Sequence, residues 1–222
     1  MRFATFAFAV TAAAAGFVRA AAPVEIVRTG DGTDDQRWYS ETFAIEPNAT
    51  YALGFEMKSD GGGGVAVTGT DALNVGFMDA CKDWTPQKYV FRTLDGKASE
   101  RLHFGEWRLK GSVAFRRQAL EKVKPVHEQV AGMTLGAGEQ IEGGVYRFTS
   151  RFCDFARNDS RPLVRATGVS FNSTRWCVGG GSEIVYRHAV AGRRFLSGTL
   201  NVGCCYRTKG EAAVEVSRDG RA

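Results

Sequence analysis

The chain has 222 residues with a formal net charge of +5, a length that suits two small domains or one larger all-β domain. The charge is uneven, because residues 23–128 carry a net charge of −2 and residues 129–222 carry +5. Most basic residues of the second part stand singly rather than in a stripe. This dispersal argues against nucleic acid as a partner.

Residues 1–20 have the three-part organisation of a removable export signal. Arg2 supplies a positive start, residues 3–18 are apolar or small, and residues 18–22 offer small side chains for cleavage. A membrane anchor is the alternative, but the run ends in Arg19 and is shorter than the roughly 20 apolar residues of a spanning helix. We therefore predict a signal peptide, no membrane span, and a secreted, periplasmic or cell-surface location.

Alternation of apolar and polar residues predicts β-strands through most of the remaining chain. Within residues 51–58 the large apolar side chains fall on one face, and Glu56 and Lys58 fall on the other. Further strands are predicted at residues 146–152, 183–188, 196–206 and 213–216, and glycine-containing turns separate them. Residues 116–126 allow a short helix as an alternative, although the segment before them alternates like a strand.

This pattern predicts an all-β protein with two β-sandwich or jelly-roll modules in tandem. The first module is predicted at residues 23–128, a linker at 129–138, and the second module at 139–222. The final strand enters a hairpin turn with no returning strand, and the second part is short for a whole sandwich. We therefore expect the second module to be incomplete at its C-terminus.

The chain contains five cysteines, an odd number, and export permits disulfides without requiring them. Cys204 and Cys205 are adjacent, so on a strand they point to opposite faces and are poor partners for each other. Either each of them pairs with Cys153 or Cys177, or all five cysteines are reduced. Cys81 stands alone in the first part.

Several phrases of the first part follow one another in a recognisable order. They are RWYS at 37–40, FAIEPNATY at 43–51, LGFEMK at 53–58, WTPQKYVF at 84–91 and LHFGEWRLKGSVAF at 102–115. This part resembles the galactose-binding-like jelly rolls that serve as carbohydrate-binding modules in exported glycoside hydrolases. The phrases FNSTRW at 171–176 and VEVSRDG at 214–220 resemble discoidin-like β-sandwich modules of the same enzymes. The resemblance implies a glycan partner and a possible C-terminal catalytic domain.

In that family, acidic residues of the last strand often ligate a structural calcium ion. Arg116 and Arg117 stand there in this chain, and cations do not ligate a cation. Asp31, Asp34 and Asp35 could supply oxygen ligands, but capping of a loop turn fits them better. We predict no cofactor.

Protein sites for sugars combine aromatic faces with a few polar side chains that bond hydroxyl groups. The candidate residues are Trp38, Tyr39, Trp84, Arg92 and Trp107 in the first part, and Arg175 and Trp176 in the second. Neighbours on a strand face opposite ways, so one of Trp38 and Tyr39 is predicted in the core and the other at the surface.

Catalytic signatures are weak in this sequence. The three histidines, His103, His127 and His188, form no metal-ligand spacing, and no nucleophile elbow is present. Carboxylate pairs must occur among 24 acidic residues, but none is singled out. We predict an exported, non-catalytic carbohydrate-binding or accessory region of a glycoside hydrolase. The alternatives are a structural or adhesive module of a cell-surface protein and a glycoside hydrolase in its own right.

Overall fold

The computed structural model describes residues 17–18, 25–33, 38–150, 152 and 158–218. Every regular element in these ranges is a β-strand, which confirms the all-β prediction. No helix with the length and hydropathy of a membrane span occurs in these ranges. The predicted signal peptide falls outside the described residues except for the two-residue strand β1 (Phe17–Val18).

Two antiparallel sheets form the first part of the molecule. One contains β2 (Ile26–Asp31), β4 (Thr50–Ser59), β7 (Cys81–Arg92) and β9 (Lys110–Lys122), in the order β7–β4–β9, and both β1 and β2 pair with β9. The other has the order β3–β8–β5–β6, formed by β3 (Tyr39–Ala44), β8 (Ser99–Trp107), β5 (Val65–Thr70) and β6 (Leu73–Phe77). The helix alternative for residues 116–126 is wrong, because residues 116–122 continue strand β9 and pair with β4.

The inner faces of the two sheets pack together and form the core of a β-sandwich. The alternation predicted at residues 51–58 is confirmed, since Tyr51, Leu53, Phe55 and Met57 are all at most 3% exposed. Phe55 contacts Phe104 of the facing sheet with ring centroids 5.7 Å apart. Burying a side chain of this size contributes about 1.5–3 kcal/mol.

The later strands form three two-stranded hairpins. They pair β10 (Glu128–Val130) with β11 (Met133–Leu135), β12 (Glu139–Glu142) with β13 (Val145–Phe148), and β14 (Leu163–Asn172) with β15 (Arg175–Tyr186). The segment predicted as a linker thus contains the β10–β11 hairpin. Its turn has φ values of 48° at Ala131 and 76° at Gly132, and positive values at both positions suit a tight hairpin.

Two predicted strands are absent from the structure. Residues 196–206 and 213–216 contain no regular element, and side chains such as Leu196 and Val216 are each 81% exposed. Alternation indicates a potential strand, but a strand also needs a partner backbone to satisfy its N–H and C=O groups. No described segment pairs with these residues. The strand predicted at 146–152 likewise ends at Phe148.

The β14–β15 hairpin packs on the first sandwich although the sequence assigns it to the second module. Leu163, Ala166, Val169 and Phe171 of β14 belong to the same buried cluster as the residues of the first core. The backbone N–H of Phe171 also donates to the carbonyl of Asp71 at 2.8 Å. The boundary predicted at 129–138 and the second sandwich at 139–222 stay predictions.

Four of the five cysteines lie in the described part of the chain. Cys81, Cys177, Cys204 and Cys205 carry free thiols. Cys153 lies outside the described residues.

Candidate functional site

Two half-exposed tryptophans lie on the outer face of the four-stranded sheet. Along β8, Leu102 and Phe104 point into the core, whereas His103 and Trp107 point outwards. Trp38 immediately precedes β3, and its side chain faces outwards like those of alternate residues along that strand. Trp38 is 36% exposed and Trp107 is 41% exposed.

The register of β3 and β8 brings these side chains together. Tyr39 pairs with Phe104, so Trp38 falls beside Gly105, with His103 and Trp107 as its diagonal neighbours on the same face. Diagonal neighbours lie about 7–8 Å apart, within reach of aromatic side chains. The rings of Trp38 and His103 make an edge contact with centroids 5.1 Å apart. We call Trp38, His103 and Trp107 the aromatic platform.

Three glycines occupy outward positions of the sheet beside the platform. Gly105 pairs with Val67, which pairs with Gly76, and His103 pairs with Gly69. A Cβ atom at Gly69 would lie 1.9 Å from the carbonyl oxygen of Leu73, and one at Gly76 would lie 2.6 Å from the Val65 side chain. Glycine at these two positions therefore permits close packing within the sheet.

A solvent-open hollow of about 360 Å³ adjoins Trp38. It is lined by Val27, Arg28 and Thr29 of β2 and by Trp38, which precedes β3 of the other sheet. The Tyr39 hydroxyl nearby donates a long hydrogen bond of 3.5 Å to the Glu41 carboxylate. Burial and then Glu41 raise the pKa of the Tyr39 phenol, while the Arg28 charge opposes this shift. The Arg28 guanidinium therefore lies near both Trp38 and the Tyr39 phenol, whereas Tyr39 and Glu41 follow the inward face of β3.

His103 contributes an uncharged ring to the platform. Burial and then the Arg101 charge lower its pKa to about 4, while Asp71 and a hydrogen bond to the Arg101 backbone oppose the shift. The imidazole is therefore neutral at neutral pH, with one ring nitrogen bonded to the Arg101 backbone.

The structure separates Trp84 from the platform. Trp84 lies in β7 of the other sheet, and the Arg116 guanidinium and the Lys58 ammonium lie over its ring at 4.0 and 4.7 Å from the centroid. Arg116 and Arg117 both donate to Glu56, at 2.7 and 2.5 Å. Cation–π contacts and ion pairs therefore surround Trp84.

Arg116 and Arg117, which replace the acidic residues of the resembled family, are thus both bound to Glu56. Asp31 accepts two hydrogen bonds from Thr33, at 2.9 and 2.6 Å, as a loop cap does. Asp34 and Asp35 lie outside the described residues. No group of three or more His, Cys, Asp or Glu side chains in the described ranges could hold a metal ion. The prediction of no cofactor stays a prediction.

Arg92 also lies away from the platform. Its guanidinium donates to the carbonyl oxygens of Leu163 and Val164 at 2.6 and 3.1 Å. Burial lowers the pKa of this group. The side chain ties β14 to the sandwich.

Arg175 and Trp176 lie on the β14–β15 hairpin. The Trp176 ring packs edge-on against Phe171 with centroids 5.1 Å apart, and its Nε1–H donates to the Tyr186 hydroxyl at 3.0 Å. The Arg175 guanidinium lies 5.0 Å from the centroid of the Tyr206 ring. These contacts stabilise the hairpin and do not involve the platform.

A polar network in the second part has the residue types of a catalytic site. Arg161 and Tyr146 donate to the buried Glu139 carboxylate, the Tyr146 hydroxyl at 2.7 Å, and His188 Nδ1 lies 3.0 Å from that hydroxyl. Burial and then Glu139 raise the pKa of Tyr146. A phenol held in its protonated form is a poor nucleophile. The network joins the β12–β13 hairpin to Arg161 and His188 of the later chain.

Sequence reasoning missed three residues around the platform: Arg28, Arg101 and His103. The alternation of residues 101–107 predicts that Arg101, His103 and Trp107 share one face of the strand. Sequence analysis could therefore have identified Arg101 and His103. Arg28 lies on a different sheet, and only the tertiary structure brings it to Trp38.

No protein-family model and no curated protein matches this chain. Ten chains of known structure are similar to it. One of them, titled "Family 16 Carbohydrate Binding Module-2", is 21% identical over 44% of this chain and 74% of its own length, with a TM-score of 0.34. So low a TM-score carries no weight for fold or function.

Proposed function

We propose that the sandwich formed by β2 to β9 binds a glycan on the aromatic platform. The observation that carries this proposal is the pair of half-exposed tryptophans, Trp38 and Trp107, on one face of the four-stranded sheet. Indole faces stack on the apolar C–H faces of sugar rings, and nearby polar groups bond the hydroxyls. A soluble sandwich has no packing reason to expose two large aromatic side chains on one face.

Polar groups near the platform complete such a site. Arg28 supplies hydrogen-bond donors beside Trp38, and the neutral His103 ring adds a polar edge. Because hydroxyl hydrogen bonds largely replace bonds already made to water, stacking is expected to contribute much of the affinity.

The full protein is proposed to be an exported accessory region of a glycoside hydrolase. The export-signal pattern of residues 1–20 and the family resemblance support this context. N-terminal sequencing of secreted material tests export, with a mature start expected at residues 21–23. Retention of Met1 in a membrane fraction would contradict it.

A polysaccharide array probed with the full chain tests glycan binding. We expect binding to at least one polymer and its loss in Trp107→Ala, whereas the chain releases no reducing ends from the polymer it binds. Binding to none of the polymers would favour the structural or adhesive module instead. Release of reducing ends would favour the enzyme alternative.

A further inference from the structure

Three arginines surround the aromatic platform. Arg28 lines the hollow beside Trp38, and Arg101 points outwards from β8, two residues from His103. The Arg108 guanidinium lies 5.1 Å from the centroid of the Trp107 ring. Positive charge therefore accompanies every member of the platform.

The carboxylates of the same region are mostly buried or paired. Glu106 is 1% exposed and accepts from the backbone N–H of Leu109 at 2.9 Å. Glu100 is equally buried, and Asp71 forms an ion pair with Lys97. Among the described residues, the exposed Glu25 and Asp31 flank the hollow-lining residues of β2, and Glu41 is bonded by the Tyr39 hydroxyl.

Cationic side chains accompany the platform although the first part as a whole is acidic. Residues 23–128 carry a net −2, yet an arginine lies beside each member of the platform. The Arg101 charge lowers the pKa of His103 against Asp71, and the Arg28 charge acts on Tyr39 against Glu41, so both guanidinium groups lie close enough to act on this region.

We propose that the platform selects acidic polysaccharides, with a sugar carboxylate bound by Arg28 or Arg101 while a sugar ring stacks on Trp38 or Trp107. A guanidinium can bind a carboxylate through two parallel hydrogen bonds, which makes such a contact specific as well as strong. This inference rests on the proposed function and names the ligand class of the same site.

Matched polymer pairs test the charge preference directly. Polygalacturonate, alginate and hyaluronan are each compared with their carboxyl-reduced counterparts, using the full chain and affinity electrophoresis. We expect at least one acidic polymer to bind about tenfold more tightly than its reduced form. The preference should shrink at about 0.5 M salt, because ions screen exposed charges. The reduced form should show little salt dependence.

Single substitutions assign the preference to the arginines. Arg28→Gln and Arg101→Gln should each weaken binding of the acidic polymer several-fold and leave binding of the reduced polymer unchanged. Arg147→Gln, an exposed arginine of β13, is the matched control and should change neither. Circular dichroism of each variant verifies folding.

Two results overturn the inference in distinguishable ways. Equal binding of acidic and reduced polymers, still dependent on Trp107, would reject the acidic preference and leave glycan binding intact. Binding to no polymer of either kind would reject the proposed function together with this inference.

Discussion

Glu100 lies on the inner face of β8 with only 1% of its surface exposed. Its Oε2 atom accepts from the backbone N–H of Asp71 at 3.2 Å, and its Oε1 atom has no hydrogen-bond partner. Burial raises the pKa of this carboxyl to about 7, against the opposing charge of Lys97. The folded state therefore favours protonated Glu100.

This carboxyl should make stability depend on pH. Its folded-state pKa of about 7 lies above the usual value of 4.5 for such a carboxyl, so its favourable contribution is complete below pH 4.5 and is lost as the pH rises through 7. The free energy of unfolding should fall by about 1–3 kcal/mol between pH 5 and pH 8 on this account. In Glu100→Gln that fall should be largely absent. Urea denaturation across this pH range provides the measurement. An equal fall in the free energy of unfolding in both proteins would contradict the assignment of this pH dependence to Glu100.

Two strand glycines offer a second comparison at the residue scale. A Cβ atom at Gly30 would lie 2.1 Å from the carbonyl oxygen of Leu109, whereas one at Gly54 would meet nothing within 4 Å. Gly30→Ala should therefore destabilise the fold by about 2 kcal/mol or more. Gly54→Ala should be neutral or stabilise it by up to about 1 kcal/mol. Thermal or urea unfolding of both variants tests this, and equal effects would contradict the difference in packing.

The sequence predicted which way single residues face better than it predicted which residues lie beside them. Strand alternation correctly required that Trp38 and Tyr39 face opposite ways, and the structure exposes Trp38 while Tyr39 packs against the core. Alternation within one strand does not specify which other strand lies beside it. The neighbourhood of Trp38, Trp107 and Arg28 arises from strand pairing and sheet packing, which a single sequence leaves open.

At the scale of elements, the β14–β15 hairpin is fixed to the sandwich by Asn158. The Asn158 side chain accepts from the backbone N–H of Arg92 at 2.8 Å and donates to the carbonyls of Ala72 and Arg92 at 2.7 and 3.0 Å. Asn158 is itself 1% exposed. One side chain thus satisfies backbone groups of two separate segments where water has little access.

Removing this amide should loosen the hairpin. Asn158→Ala leaves buried backbone groups without partners, at a cost of about 2–4 kcal/mol in the free energy of unfolding. Asn201→Ala, in the exposed irregular segment, should change stability by less than about 0.5 kcal/mol. Urea denaturation provides both values. A loss below 1 kcal/mol in Asn158→Ala would indicate that water replaces the amide.

Element prediction from the sequence succeeded where strands pair within the sandwich and failed in residues 196–206. Leu196, Leu200 and Val202 have the spacing of a strand face, yet all three are exposed. The periodic pattern is the same as in β4, and the difference lies in the partner strands, which β4 has on both sides. An alternating sequence therefore indicates that a segment can form a strand, and not that it does form one.

At the scale of the whole molecule, residues 187–218 differ from the part before them. They contain no strand, and almost all of their side chains are exposed. Such backbone has few internal hydrogen bonds to protect it, and exposed irregular segments are preferred sites of proteolysis.

Limited trypsin digestion should therefore cleave this segment first. Cleavage after Arg193, Arg194, Arg207 or Lys209 is expected before cleavage at Arg92 or Arg101, which lie in paired strands. Mass spectrometry of the early fragments should show a persistent product that ends near residue 193. Early cleavage within β4 to β9 would contradict the predicted difference in protection.

The central claim, that the exposed tryptophans bind glycan, is tested most directly by comparing Trp38→Ala with Trp84→Ala. Calorimetric titration of each full-length variant with the best polysaccharide gives the change in binding free energy, and circular dichroism verifies folding. Trp38→Ala should weaken binding by about 1–3 kcal/mol, as for other aromatic stacking platforms, and Trp84→Ala should leave it unchanged. Unchanged affinity in a folded Trp38→Ala variant, with a loss in Trp84→Ala, would contradict the account and move the site to the other sheet.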